Sequence, residues 1–216
     1  MCWSFSTFAR TKSSLCSKGN REVDKLVMEE KLKEYKTFLE KLCQSKSSEV
    51  FTNGGIDHAA ILMSTLFRNT EQSIKMLCAG LKPALITKEP YLSDFTKFLS
   101  TPGKSIQIIV GTDEFINETP FQLIIEKLGE PQDHRAQIEC RIMDDKGKKQ
   151  VMDFFGSECH FSIFDTQKYR LEVNPEKYQA IGSFNAPDYT KRLTDLFDSI
   201  FKSSQLIPAL AAENLG

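Results

Sequence analysis

The sequence has few of the signals that mark secretion, disulfide bonding or a membrane. Its six cysteines are scattered without a C-x-x-C pair, and Cys78 lies in the apolar run "IKMLCAGL", where a free thiol packs as a small hydrophobic group. No apolar run approaches the ~20 residues that a helix needs to cross a bilayer, and residues 1–20 contain no apolar core of a secretory signal. These absences favour a reducing compartment and predict a cytoplasmic protein without membrane insertion.

Neither positive nor negative charge is in excess. The 28 lysine and arginine residues stand against 29 aspartate and glutamate residues and leave a net charge of −1, so no global field draws in nucleic acid or an anionic membrane. The sequence also lacks a Walker-type loop, a G-x-G-x-x-G motif and the Cys/His spacing of a zinc site. We therefore expect no cofactor and no metal, and any contact with phosphates is expected to be local.

What the sequence does have is length for one well-buried core, since 216 residues are too few for two full-sized domains. Residues 1–20 are rich in Ser and Thr and lack acids, as transit peptides do, but without an amphipathic pattern a flexible tail is favoured. We divide the chain into this tail (1–20), an amphipathic helix segment (21–50), a main domain (51–202) and a C-terminal tail (203–216).

The helix segment carries apolar residues at alternating spacings of four and three: Met28, Leu32, Tyr35, Leu39 and Leu42. Such spacing is typical of an amphipathic helix packed on its own domain, and also of a short coiled-coil or dimer seam. The pattern lasts only about two heptads, which favours packing over a seam.

Helical and strand patterns then alternate along the main domain. Apolar residues recur at helical spacing in residues 56–70, 90–100, 119–129 and 185–201, and short apolar or alternating runs occupy residues 73–81, 105–112 and 136–144. The segment "DDKGKK" is interpreted as a turn, with Lys146, Lys148 and Lys149 available to a phosphate backbone if the turn borders the site. Strand after helix after strand predicts an α/β fold, a central mixed sheet with helices on both faces.

The stretch "CHFSIFDTQKYRLEVNPEKYQAIGSFN" (159–185) holds the candidate site. Two alternating runs predict a hairpin with residues 166–168 in its loop, with Phe161 opposite Val173 and Ile163 opposite Leu171. The other face of that hairpin carries a concentration of polar side chains: His160, Ser162, Arg170 and Glu172. The plain alternative is the polar outer face of an ordinary ribbon, on which Arg170 and Glu172 pair in solvent.

A short strand, "YQAIGSFN", follows and runs into a helix through "NAPD". Its alternation places Ile181, Ser183 and Asn185 on one side, so the Ser183 hydroxyl, the Asn185 amide and backbone N–H groups are expected to converge beside a helix N-terminus. Such a place suits a phosphate, with Gly182, Ser183 and Arg170 as its binding residues.

The order His160, then Gly182-Ser183-Phe184-Asn185, then an amphipathic helix resembles the phospholipase D superfamily, whose motif is His-x-Lys, a later Asp and then Gly-Ser-x-Asn. The resemblance extends over residues 51–202 and implies a phospholipase D-like α/β sandwich. In that family two such motifs meet, one histidine attacks phosphorus, the other protonates the leaving oxygen and the lysines hold the non-bridging oxygens. This chain carries one such half, so the resemblance implies a homodimer for activity.

The sequence departs from the motif at its cation. Ser162 stands at the lysine position, Asp165 lies nearer to the histidine than in the family, and a strand separates His160 from Gly182. Arg170 would restore a cation from the neighbouring strand, and Glu172 would orient His160. The implied catalytic set is His160, Ser183, Asn185, Arg170 and Glu172.

Two hypotheses follow from this degenerate motif. The first is a module that binds nucleic acid or a protein partner with weak or no turnover, within a bacterial system such as phage defence, where the resemblance places many such domains. The second is a homodimeric, nuclease-like phosphodiesterase with a phosphohistidine intermediate. A lipid-modifying enzyme is disfavoured because no amphipathic membrane anchor is evident.

Overall fold

The computed structural model describes residues 12–112, 114 and 116–207, with side chains from residue 23 onward in those ranges. The helices in these ranges are α1 (Lys12–Gln44), α2 (Ile56–Arg68), α3 (Pro83–Ile86), α4 (Tyr91–Leu99), α5 (Thr119–Leu128), α6 (Asp145–Phe155) and α7 (Pro187–Ser203). The strands are β1 (Phe51–Asn53), β2 (Ser73–Cys78), β3 (Ser105–Val110), β4 (Gln137–Ile142), β5 (Phe161–Phe164), β6 (Lys168–Asn174), β7 (Gln179–Ser183) and β8 (Gln205–Leu206). None of the described helices has the length and apolar character needed to span a membrane.

The described strands form one sheet in the order β1-β7-β6-β5-β2-β3-β4-β8. Strands β2, β3 and β4 run parallel, whereas every other neighbouring pair is antiparallel. The parallel strands are joined through helices, as crossover connections require. The predicted α/β fold with a central mixed sheet is confirmed.

Helices cover both faces of this sheet, because alternate strand residues point to opposite sides. On one face Met76 of β2 packs in a core with α1, α2, α4 and α5. On the other face Leu77 packs in a second core with Val151 of α6 and Phe197 of α7. The first core is rich in aromatic rings around Phe67, whose centroid lies between 5.1 and 6.3 Å from those of four other rings. Every strand in the centre of the sheet is therefore buried on both sides.

The N-terminal helix packs on the domain through its C-terminal half. Leu39 and Leu42 are buried in the first core, whereas Met28 is exposed. The helix begins at Lys12, earlier than the expected start at residue 21, and it ends at Gln44. The rest of the predicted tail, residues 1–11, lies outside the described residues.

The predicted C-terminal tail contributes in part to the fold. Residues 205–206 form β8, an edge strand paired with β4, and Ile207 is fully buried in the first core. Burial of that side chain is the physical reason for the difference, because an apolar anchor fixes this segment onto the domain. Residues 208–216 lie outside the described residues.

The segment "DDKGKK" begins helix α6, so the predicted turn is wrong. Asp144 is the N-cap, and its carboxylate accepts a hydrogen bond from the Gly147 N–H at 2.7 Å, as capping acids do. Gly147 serves close packing, since a Cβ there would lie 2.7 Å from Met143 and 2.8 Å from Ile200. A glycine that suggested a turn is thus a contact point between α6 and α7.

Strands β5 and β6 form the predicted hairpin in a different register. Phe161 lies opposite Leu171 and Ile163 opposite Tyr169, so the pairing is shifted by two residues. A shift of two leaves each of these side chains on its predicted side of the sheet. The loop is residues 165–167, because Asp165 turns the chain at φ 55°. Val173, expected in the core, is 57% exposed beyond an irregularity in the β6–β7 pairing.

Candidate functional site

The polar face of the β5–β6 hairpin is buried. His160 exposes 8% of its surface, and Ser162 and Arg170 expose 5% each. Ser162 pairs with Arg170 on β6 and with Met76 on β2, which places these side chains on the face of the first core. The alternative of a solvent-facing ribbon is therefore wrong, because β5 also pairs with β2 and helices cover the face.

Glu172 joins the two functional side chains nearest to it. Its Oε2 accepts a hydrogen bond from His160 Nδ1 at 2.9 Å, and its Oε1 accepts from both terminal nitrogens of Arg170 at 3.0 Å. Burial raises the pKa of Glu172, but the hydrogen bond from His160 and the charge of Arg170 outweigh it and leave the pKa below its usual value. The carboxylate is thus an ionised bridge, and it assigns the Nδ1 proton to His160.

The other ring nitrogen of His160 has no hydrogen-bond partner. Its Nε2 exposes less than 1 Å², and the closest acidic oxygen on its side, Glu158 Oε1, is 3.9 Å away, too far for a hydrogen bond. With Nδ1 engaged by Glu172, a neutral ring carries its lone pair on Nε2. An oriented imidazole with a free nitrogen is suited to accept a proton or to attack an electrophile.

The positive charge beside this histidine, on Arg170, is already paired with the Glu172 carboxylate. Arg170 directs both terminal nitrogens to Glu172, and its Nε is buried without a partner. Ser162, at the motif position of the lysine, carries no charge. The terminal nitrogens of the guanidinium therefore neutralise Glu172, and phosphate oxygens, which require direct charge-assisted hydrogen bonds, would have to compete with that carboxylate for them.

Two cavities meet at His160. The smaller, of about 60 Å³, lies on the side of Arg170 and Glu172 and is also lined by Tyr91 of α4. The larger, of about 460 Å³, lies on the side of Glu158 at the edge of the sheet. The imidazole therefore lies between a small cavity on its ionic side and a larger one on its other side.

The Gly-Ser-Phe-Asn segment does not join this cluster. Ser183 lies opposite Tyr169 on the face of the second core, away from His160, and is fully buried. Its Oγ accepts from the Asn185 N–H at 3.2 Å, and the Asn185 amide donates to the Lys46 carbonyl at 3.0 Å. Ser183 and Asn185 thus lie together just before helix α7, but on the opposite face of the sheet from Arg170 and Glu172, because the strand places successive residues on opposite faces.

Gly182 does lie opposite Arg170, yet it is enclosed. A Cβ at this position would come within 2.5 Å of the Tyr169 carbonyl oxygen and 2.8 Å of the Phe51 ring. Such a close approach is tolerated only by glycine, so this contact explains the residue without a ligand.

Two thiols beside the site are poor nucleophiles. Burial, and after it the Glu172 carboxylate, raise the pKa of Cys78 to about 12 and that of Cys159 to about 11. Both are therefore thiols near neutral pH. No group of three or more His, Cys, Asp or Glu side chains that suits a metal ion occurs in the part of the chain described.

Sequence reasoning missed Glu158 and the larger cavity. Glu158 stands two residues before His160, the spacing that places side chains on the same side of an extended segment, and that signal was available. The cavity forms where the C-terminal ends of three parallel strands meet, and no local sequence pattern indicates it. Of the predicted site residues, the structure brings together His160, Arg170 and Glu172.

Comparisons with known proteins give likeness in fold. No protein-family model matches the chain, and no curated protein matches it in sequence. The solved structure of TrmBL2, an archaeal chromatin protein with a novel mode of DNA binding, has 12% identity and a TM-score of 0.50, with 89% of this chain and 68% of that chain covered.

Phospholipase D family members are also among the similar structures. Nuc from Salmonella typhimurium has 10% identity and a TM-score of 0.48, with 74% of this chain and 99% of that chain covered. Phosphatidylserine synthase from Haemophilus influenzae has 11% identity and a TM-score of 0.48, with 76% of this chain and 40% of that chain covered. At such identities the likeness concerns the fold alone.

Proposed function

We propose that this chain, an α/β domain similar in fold to phospholipase D-like structures, is a binding module for nucleic acid or a protein partner, with weak or no phosphodiesterase turnover. The observation that carries the proposal is that both cations expected beside His160 are missing or engaged. Arg170 is hydrogen-bonded to Glu172, and Ser162 stands at the position where the motif has its lysine. Phosphoryl transfer depends on cations that stabilise the charge developing on the phosphorus oxygens. On this hairpin the terminal nitrogens of Arg170, which would face that developing charge, are already paired with Glu172.

The expected loss of rate is large. By analogy with the removal of one oxyanion donor, a missing cationic clamp costs about 2.7–4 kcal/mol of barrier, or roughly 10²–10³ in rate. Access adds to this, because Nε2 of His160 exposes less than 1 Å² and a nucleophile needs a near-attack approach of about 3–3.5 Å. Proteins that share a widely used fold commonly lack the catalytic activity of other proteins with that fold.

Nucleic acid is the partner class that the fold neighbours favour, because DNA binding is stated for TrmBL2. The net charge of −1 requires that phosphate contacts come from a local group of cations, and Lys146, Lys148 and Lys149 on α6 form one exposed group. Phosphate contacts of this kind weaken steeply as salt rises. A protein partner would show much weaker salt dependence.

The test combines binding with turnover on the full chain. Fluorescence anisotropy with single- and double-stranded DNA and with RNA, at low and high salt, measures binding; bis(p-nitrophenyl) phosphate and the same nucleic acids in EDTA measure cleavage. We expect salt-sensitive binding, and cleavage by wild type that is absent or little above the background of His160→Asn. Rapid cleavage by wild type that His160→Asn abolishes would refute the proposal. If no nucleic acid binds and the purified chain captures no protein, the module hypothesis also fails.

Restoring the motif lysine is a sharper version of this test. Ser162→Lys recreates His-x-Lys at His160, and Ser162→Gln is a control of similar length without charge. Ser162 is buried beside Arg170, so folding of both variants is first checked by circular dichroism. Activity gained with Lys alone supports loss of the cation as the cause of weak turnover.

A homodimeric phosphodiesterase with a phosphohistidine intermediate is the second candidate. The free Nε2 and the Nδ1–Glu172 bond of His160 favour it, because they orient an imidazole for attack. It predicts a dimer by light scattering and a phosphate adduct on His160 by mass spectrometry after rapid quenching. A monomer without adduct would exclude it.

A place in bacterial phage defence stays a prediction from the resemblance. Its measurement is the plating efficiency of phages on cells that express the wild-type chain with its neighbouring genes, compared with cells that carry Glu172→Ala. Equal plating on both strains and on cells without the genes would contradict it.

A further inference from the structure

The larger cavity lies where several strands end together. Strands β2, β3 and β4 are parallel and finish at the same edge of the sheet, and β5, which runs the other way, begins there. In open α/β sheets this carboxyl edge, beside a change in strand order, is where ligands bind. The volume of about 460 Å³ falls within the usual range for small-molecule sites, roughly 300–1,000 Å³.

Its walls are mostly apolar. Leu77 and Met143 come from the sheet edge, and Val151 and Met152 come from helix α6. Val151 is buried, whereas Met152 is 50% exposed at the mouth. Methionine at the mouth of a pocket adapts to different shapes because its side chain is unbranched and polarizable.

A few polar groups converge on the same space: Thr112, Lys148, Glu158 and His160. The Thr112 hydroxyl oxygen accepts from the Glu114 N–H at 3.2 Å. Lys148 is 3.2 Å from Asp145, and both side chains are largely exposed, so the pair is weak. Apolar walls with a small number of placed polar groups are the usual composition of a small-molecule site.

His160 supplies the specific contact. Its Nδ1 is held by Glu172, which borders the smaller cavity, whereas Glu158, on the Nε2 side, borders the larger one. The Nε2 atom is buried without a partner in a residue that is 8% exposed. Arg170 Nε, on the other side of Glu172, is also buried without a partner. Of the two atoms, Nε2 lies on the side of Glu158 and the larger cavity, and a buried polar atom without a partner indicates a site for a missing one.

The chemistry of the missing partner follows from the two acceptors. With its Nδ1 proton donated to Glu172, the imidazole form of His160 presents a lone pair at Nε2. The Glu158 carboxylate 3.9 Å away is also an acceptor. The Glu158 side chain is 81% exposed and so is free to adjust. Because both groups accept hydrogen bonds, a ligand between them must supply the donor. The negative charge of Glu158 disfavours an anionic ligand at the same position. The place between His160 and Glu158 is therefore poorly suited to a phosphodiester, although Lys148 lines another part of the cavity.

We propose that this cavity binds an uncharged small molecule with an apolar body and a hydroxyl or amide group that donates to His160 Nε2. The apolar body lies against Val151 and Met152. Because Nε2 exposes less than 1 Å², the donor reaches it only when the exposed Glu158 side chain moves aside. This function goes beyond the binding of nucleic acid or protein, and neither proposal depends on the other.

The test uses three probes of one shape on the full chain: 2-naphthol, its methyl ether and 2-naphthoate, each up to about 1 mM, the range of weak fragment binding. Saturation-transfer NMR and calorimetry measure their affinity at neutral pH. We expect 2-naphthol to bind about tenfold tighter than the ether, which has no donor, and than the anion, in keeping with one hydrogen bond. No binding of any probe, or equal binding of all three, would overturn the proposal without any variant being made.

Two variants locate the site. Met152→Trp fills the mouth from a half-exposed position, and Val50→Trp adds the same side chain at a position that is 56% exposed and outside the cavity lining. We expect about a tenfold loss of 2-naphthol affinity in the first and no change in the second. His160→Phe is expected to bring naphthol and ether to the same affinity. Naphthol binding that Met152→Trp leaves intact would refute the location, and discrimination kept by His160→Phe would refute the donor contact.

Discussion

The bridge made by Glu172 has a large expected effect on stability. Glu172→Gln keeps the length and shape of the side chain and removes its charge. Arg170 then remains buried, with 6% of its side chain exposed, without an anion. Leaving one member of a buried ion pair uncompensated costs about 3–5 kcal/mol, a large part of the total stability of an ordinary domain.

The magnitude depends on burial, so the control is a pair of the same kind nearer the surface. Glu139 accepts from Arg141, two residues along β4, at 2.6 Å, and the side chains are 32% and 24% exposed. In that pair solvent screens the charges, and Glu139→Gln is expected to cost about 1 kcal/mol or less. Urea unfolding followed by circular dichroism measures both variants against wild type.

The same variant has a signature in pH. The pKa of Glu172 is lowered in the folded chain, so its ionised form stabilises the fold above the unfolded pKa of about 4.3. This contribution is lost as the pH falls through the folded pKa, because the carboxylate is then protonated in both states. We expect the stability gap between wild type and Glu172→Gln to be full at pH 7 and to narrow below about pH 4.3.

Two outcomes would refute this reasoning. Equal costs for Glu172→Gln and Glu139→Gln at pH 7 would show that burial does not set the strength of the bridge. A gap that stays constant between pH 7 and pH 3 would show that the charge of Glu172 is not what stabilises the fold.

Three further predictions concern the frame around the site, each measured as the free energy of unfolding. Gly182→Ala is expected to lose about 2 kcal/mol, because its Cβ would meet the Tyr169 carbonyl at 2.5 Å; Gly54→Ala, with no atom within 4 Å, is the control, and equal losses would contradict the contact. Asp165→Asn is expected to lose about 3 kcal/mol, since its carboxylate accepts from three backbone N–H groups at 2.8–3.2 Å; because its pKa is lowered, the deficit should shrink as the pH falls below about 3.9, and a deficit that does not change with pH would contradict the role of the charge. Phe67→Ala is expected to lose about 3–5 kcal/mol by opening a cavity among four neighbouring rings, and a loss under about 1 kcal/mol would show that the aromatic cluster repacks.

Part of the hairpin was predictable because alternation is a local property. Phe161, Ile163, Tyr169 and Leu171 share a core face as expected. The register was predicted two residues away from the observed one, since the turn is set by Asp165, whose carboxylate binds backbone N–H groups at the start of β2. That contact joins segments more than ninety residues apart, and no local pattern encodes it.

The sequence by itself determined the α/β alternation, the two faces of each strand, and the grouping of His160, Arg170 and Glu172 on one of those faces. These follow from the periods of side chains along helices and strands, which neighbouring residues fix. Only the tertiary structure decided that this polar face is buried, since that depends on the pairing of β5 with β2 and on the helices above it.

The same division applies to the ligand groups. Whether Arg170 is free or bound to Glu172, whether Ser183 meets His160, and whether a cavity opens beside Nε2 all depend on contacts between segments far apart in the chain. The order of residues in the sequence determines which chemical groups are available. Long-range packing decides which charges are neutralised and which atoms remain without a partner, because burial and pairing are properties of the assembled sheet.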